Sequence, residues 1–149
     1  MPHAKMQEYV NVDYRCRMSI VGLIEEGGIE RIIAEGRYVL MKDRPFADTA
    51  FVVDEKYQGT GIATFILNML ITFAREQGIK GFTADVLADN KGMLKVYEKS
   101  GYPIQAVVEY GVYHLTLPFS ERSETQPDLS AQQNIWSKVA VEATLHLLL

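Results

Sequence analysis

The sequence predicts a mixed α/β sandwich and not a Rossmann-type sheet, on three observations. Two arms rich in β-branched residues fold about the turn "EEGG". A helical stripe from Gly61 to Gln77 passes directly into a new strand. The order of elements runs strand, strand, strand, helix, strand, helix, strand, strand. A Rossmann sheet alternates strand and helix throughout, and this chain does not.

The first two strands lie in "MSIVGLIEEGGIERIIAEGRYVLM", where Gly27 and Gly28 supply the positive φ values of a tight reversal. "DTAFVVDE" is a third strand, short and apolar enough to suggest burial on both faces. From Gly61 the period changes to that of a helix. Ile62, Phe65, Ile66, Met69, Leu70 and Phe73 recur at steps of three and four, and Gly78 ends the run as a C-cap glycine. "GFTADVLA" returns at once as a strand, so this strand–helix–strand unit implies a parallel crossover. "NKGMLKVYEKSG" is a second, shorter helix with Asn90 as N-cap and Gly101 past its end. "IQAVVEYGVYHLTLPF" then holds two strands around Gly111.

After Phe119 the composition shifts. The main domain is expected over residues 1–119, followed by a polar linker over 120–130, "SERSETQPDLS", and a helix over 131–149. In that last segment Ile135, Trp136, Val139, Ala140, Ala143 and Leu147 share a helical face, and a face this apolar must dock on its own domain or on another chain.

At 149 residues the chain suits one domain, which at this size buries roughly 70% of the surface its unfolded form exposes. A net charge of −4 weighs against nucleic acid, whose phosphates reward clusters of Lys and Arg, and is compatible with a cationic substrate. Cys16 is the single cysteine, so neither a disulfide framework nor a cysteine metal site is expected, and a lone thiol beside a strand reads as packing. His3, His114 and His146 lack ligand spacing, so no metal is expected. "MPHAKMQEYVNVDY" has no signal-peptide core and no apolar run reaches a membrane span, so a soluble, cytoplasmic protein is expected.

The corner before the first helix, "YQGTGIATFIL", carries the chemistry. A helix entered through glycines leaves its first N–H groups unpaired and partly positive, which suits a phosphate. The corner fits neither of the commoner nucleotide patterns. The third small position of a dinucleotide fingerprint falls on Thr64, and no Gly-Lys-Ser/Thr follows. By itself such a corner reads equally well as a tight strand–helix connection.

The stretch resembles the acetyl-CoA-binding motif of the Gcn5-related N-acetyltransferase (GNAT) superfamily. That motif runs Arg/Gln-x-x-Gly-x-Gly/Ala, and Gln58-Gly59-Thr60-Gly61-Ile62-Ala63 fits it throughout. "FVVDEKY" is similar to the family's splayed strand. "NKGMLKVYEKSGY" is similar to its second motif, with Asn90, Tyr97 and Gly101 in register. A narrower likeness, carried by residues 12–40, "ADTAFVVDEKYQGTGIA" and "LADNKGML", is to the acetyltransferase domain of bacterial protein lysine acetyltransferases that regulate acetyl-CoA synthetase. There the domain is often fused to a large ligase-like portion. These 149 residues leave no room for one, so its regulation is not expected.

The resemblance implies a GNAT-like, mostly antiparallel sheet with flanking helices, a central strand–helix–strand acetyl-CoA unit and the additional C-terminal helix. It implies that the backbone of Phe51, Val52 and Val53 pairs with the pantetheine arm, that an N–H of this strand meets the thioester oxygen, and that Gln58, Gly59, Thr60, Gly61, Ile62, Ala63 and Thr64 wrap the diphosphate. Asn90 would touch the pantetheine amides or simply cap its helix. Tyr97 would protonate the departing thiolate, against the plainer reading of a core aromatic. A primary amine, with a pKa near ~10.4, must lose a proton before it attacks. The family's glutamate for that task falls here on Asp48, one methylene shorter, so a water relay or a closer substrate is needed; a solvated turn carboxylate is the alternative. Glu35 and His114 are further candidates for the base.

The activity so implied is direct acetyl transfer from acetyl-CoA to a primary amine, protein lysine or a small molecule, with no metal, no nucleic acid and no membrane involved. A non-catalytic acetyl-CoA-binding sensor or assembly module is the alternative. The resemblance also implies a strand and two helices ahead of the hairpin, for which the chain has too few residues. The C-terminal helix is therefore expected to cover the vacated surface, in cis or by exchange within a homodimer.

Overall fold

Residues 14–119 and 140–147 are described in the computed structural model. The elements are Tyr14–Glu26 (β1), Ile29–Met41 (β2), Phe46–Val53 (β3), Ile62–Glu76 (α1), Gly81–Leu87 (β4), Lys91–Glu98 (α2), Gln105–Glu109 (β5), Val112–Pro118 (β6) and Ala140–Leu147 (β7). The strands form one seven-stranded sheet in the order β5-β6-β4-β3-β2-β1-β7. Only β3 and β4 run parallel, joined through α1; every other neighbouring pair is antiparallel.

The turns follow local backbone chemistry. Gly27 and Gly28, at φ 59° and 81°, close β1 onto β2, and Tyr110-Gly111, at 50° and 75°, close β5 onto β6. Helix α1 ends at Gly78, where the Ile79 N–H donates to the Ala74 carbonyl at 3.0 Å.

One face of the sheet packs under α1. Ile66, Leu67 and Leu70 of the helix are fully buried, as are Tyr38 and Phe82 beneath it. Each such aliphatic side chain contributes about 1.5–3 kcal/mol by leaving water. Gly36 of β2 sets how closely α1 approaches: a Cβ there would lie 2.4 Å from Ile66 Cγ2 and 2.6 Å from Phe51 Cε1.

The burial of β3 on both faces, expected from its apolar run, does not occur. Ala47 and Thr49 are buried, whereas Asp48 and Ala50 are exposed and Val52 is 71% exposed. Helix α1 covers one face, and among the described residues no helix covers the other.

The C-terminal expectation also changes. The linker over 120–130 and residues 131–139 and 148–149 of the expected helix lie outside the described residues. Where the chain is described, at Ala140–Leu147, it is a strand that pairs with β1 of the same chain, from Cys16↔Leu147 to Leu23↔Ala140. The reason is legible afterwards: Val141, Ala143, Leu145 and Leu147 alternate with Glu142, Thr144 and His146, a period of two. Pairing along β1 also satisfies backbone groups that a sheet edge would leave open.

Candidate active site

The site begins where two strands part. β3 and β4 pair only from Phe46↔Gly81 to Thr49↔Ala84. Beyond that rung β3 stays with β2 as far as Val53, and β4 stays with β6 as far as Leu87, so a wedge opens between them. The Asp54 N–H donates to the Ile33 carbonyl of β2 at 2.8 Å. Backbone groups alternate along a strand, so those of Phe51 and Val53 face the other way, into the wedge. There the Val53 carbonyl accepts from Gln58 Nε2 at 3.2 Å.

The glycine corner closes the end of this wedge. Asp54 caps a short 3-10 turn over Glu55–Tyr57 by accepting from the Lys56 N–H at 3.0 Å. Gly59 and Gly61 follow at φ 73° and 92°, and a Cβ at either would meet nothing within 4 Å. Conformation, not crowding within the protein, is what demands glycine at these two positions. Gly61 is the N-cap of α1 and offers no side chain to its first N–H groups, and the first turn holds no acidic residue. Those donors stay available to an anion.

Between the corner and α2 lies a cleft of about 350 Å³. Phe51, Val52 and Val53 line it from β3, Gln58, Gly59, Gly61, Ile62, Ala63 and Thr64 from the corner, and Asn90 from the start of α2. Asn90 also caps α2, accepting from the Met93 N–H at 3.2 Å, so both of its expected roles coincide. Thr60 stands in the corner, but its hydroxyl donates to the Tyr57 carbonyl and it does not line the cleft. Tyr57, Met93, Lys95, Val96 and Lys99 line it as well and were not singled out from the sequence. The spacing of Gly92, Val96 and Lys99 along α2 was the available signal.

Tyr97 sits behind the cleft, not in it. It is 2% exposed, with the Phe51 ring against it edge to face at 5.9 Å. Its hydroxyl lies 2.8 Å from Thr49 Oγ1, on the last β3–β4 rung. Thr49 Oγ1 donates to the Thr83 carbonyl at 3.0 Å, which spends its hydrogen, so Tyr97 is the donor to Thr49. Burial raises the tyrosine's pKa well above the ordinary value; the Thr49 contact opposes this and the charge of Asp48 adds to it. Tyr97 therefore holds its proton at neutral pH.

Asp48 lies on the opposite face, in a second recess of about 420 Å³ that it shares with Arg17, Ser19, Glu35 and Arg37. Thr49 and Ala50 reach the same recess, which places it over the point where the strands part. The Thr83 hydroxyl donates to Asp48 Oδ1 at 3.0 Å. Partial loss of water raises the Asp48 pKa, the Thr83 hydrogen bond lowers it, and the charge of Asp85 raises it further. Glu35 Oε1 accepts from Ser19 at 3.3 Å. His114, across β4 and outside this recess, has Nδ1 2.6 Å from Asp85 Oδ1 and Nε2 3.9 Å from Glu109. The structure thus joins Asp48 with Glu35, and keeps both apart from the cleft below. Cys16 is buried at 3% exposure, in keeping with a packing role. Among the described residues no group of His, Cys, Asp and Glu is placed to hold a metal.

The family model described as Acetyltransferase (GNAT) family matches residues 4–102. The chain is 35% identical over 102 residues to Acetyltransferase Pat of Mycolicibacterium smegmatis, a match covering 67% of this chain and 30% of that protein. The GNAT domain of S. lividans PAT superposes with a TM-score of 0.58 at 31% identity, covering 80% of this chain and 70% of that one. A cAMP-binding acyltransferase from Mycobacterium smegmatis superposes with a TM-score of 0.58 at 28% identity, covering 90% and 42%. The chain therefore spans less than half the length of two of these three relatives.

Proposed function

Because the chain belongs to the GNAT acetyltransferase family, we propose that it transfers the acetyl group of acetyl-CoA to a primary amine, with protein lysine as the acceptor class its likeness to lysine acetyltransferases suggests. The observation that carries this reading is the wedge between β3 and β4. It exposes strand backbone on one side, opens beside a glycine-entered helix N-terminus, and has Tyr97 at its apex.

In this reading the N–H groups of the corner receive the diphosphate, and Gln58 through Thr64 surround it. The pantetheine arm lies along Phe51, Val52 and Val53 as an added strand, taking the backbone groups that face the wedge. A β3 N–H donates to the thioester oxygen, where negative charge grows during attack. The amine arrives from the recess on the other face. Asp48, through water, accepts its proton, and the amine nitrogen bonds to the acetyl carbon. The tetrahedral intermediate collapses with loss of the CoA thiolate, which Tyr97 protonates. Neutral Tyr97 suits that task, and its loss of a proton is relayed back through Thr49 and solvent.

A second reading, a binding module for acetyl-CoA without catalysis, is favoured by one observation: neither Tyr97 nor Asp48 lines the cleft. Release of CoA from acetyl-CoA, measured against small amines and lysine-containing polypeptides, separates the two. Release with one amine class supports the transferase and names its acceptor. A folded protein that binds acetyl-CoA yet releases none with any amine supports the module.

A further inference from the structure

The cleft carries two charged residues, and both are lysines. Lys95 lies within α2 and Lys99 follows its last residue, still in helical geometry, so the two stand four apart on one side of the helix. Both are exposed, and every other residue lining the cleft is uncharged. Among the described residues neither lysine forms an ion pair. In a chain of net charge −4, two uncommitted cations gathered on the wall of one cleft imply an anion.

The corner already offers backbone N–H groups to a diphosphate. Coenzyme A carries a further phosphate, a monoester on the 3′ position of its ribose. A cleft of about 350 Å³ holds only part of so large a molecule, so its nucleotide end extends over the rim. Lysine, a point charge on a flexible stem, suits a phosphate held at such an exposed edge. Resting on the acetyl-CoA reading above, we propose that Lys95 and Lys99 bind this 3′-phosphate and make the protein select CoA over its dephosphorylated form.

The test is calorimetric titration of the full chain with CoA and with 3′-dephospho-CoA, so no acceptor amine need be known. The unaltered protein is expected to bind CoA roughly 10-fold more tightly at low salt, with the difference shrinking as salt is added. In the double variant Lys95→Gln, Lys99→Gln, CoA falls to the affinity of dephospho-CoA, whose own binding is unchanged. The thermal midpoint, which two exposed lysines do not set, confirms that the variant is folded. Equal binding of both ligands by the unaltered protein overturns the inference and leaves the acetyl-CoA reading standing. Survival of the preference in the double variant, or an equal loss for both ligands, overturns it too; the latter would move the lysines to the diphosphate. Binding of neither ligand by folded, unaltered protein overturns both the reading and the inference.

Discussion

Replacing Tyr97 by phenylalanine removes one oxygen atom, 2.8 Å from Thr49 Oγ1, and leaves the ring packed against Phe51. Thr49 keeps its donation to the Thr83 carbonyl, so no buried donor is orphaned. The stability change is therefore that of one buried hydrogen bond, about 0.5–1.5 kcal/mol. Catalysis should suffer much more. A positioned general acid contributes typically 10²–10⁴-fold, about 3–5.5 kcal/mol of barrier. Tyr97 does not line the cleft, so the affinity for acetyl-CoA should change by less than about twofold, the scale of a sub-kcal/mol effect. The assay is CoA release under saturating amine, with KM for acetyl-CoA from the same data and the unfolding midpoint as a control. A turnover equal to that of the unaltered protein refutes the role of Tyr97. A loss that appears only in KM refutes the placement behind the cleft.

Three further outcomes follow from the geometry. Gly36→Ala puts a methyl group 2.4 Å from Ile66 Cγ2 and 2.6 Å from Phe51 Cε1, so it should cost about 1–3 kcal/mol in urea unfolding and raise KM for acetyl-CoA by displacing Phe51; an unchanged midpoint would contradict the packing. Gly61→Ala forces a side chain to φ 92° at the helix entry, costing about 1–2 kcal/mol and weakening acetyl-CoA binding, both readable by titration and thermal melting. If Asp48 accepts the proton, activity falls as pH drops through its raised pKa. Thr83→Val, which removes the hydrogen bond that lowers that pKa, should move the acid limb up, and Asp85→Asn should move it down; a limb that stays in place removes Asp48 from the role. The sign for stability is opposite to that of a salt-bridged aspartate. The folded chain holds this proton more tightly than the unfolded one, so the group's contribution to stability declines as pH rises from the ordinary aspartate value through the raised one.

Much of the fold was legible locally. The positive-φ glycines at 27, 28 and 111 and the stripe from Ile62 to Phe73 each express a preference contained within a few residues, and each element formed as expected. The C-terminal segment shows the limit of such reasoning. Its residues satisfy a helical face and, from Val141, also a strict alternation, and the open edge of β1 settled the matter in favour of a strand. A segment with two acceptable periods takes the one for which a partner exists. β3 erred for a similar reason: its apolar composition was visible, but whether its second face would be covered depends on elements elsewhere in the chain.

For the candidate site, the sequence alone determined the glycine corner, its exposed helix N-terminus and the family likeness, because a helix entry is a local matter of φ and unpaired N–H groups. Only the tertiary structure decided that β3–β4 pairing stops at Thr49, that Tyr97 donates to Thr49 from 48 positions away, that Thr83 holds Asp48 from 35 positions away, and that Lys95 and Lys99 face the corner across a cleft. Those facts depend on strand register and on how two helices lie across one sheet, and they are decided by packing the whole chain, not by any stretch within it.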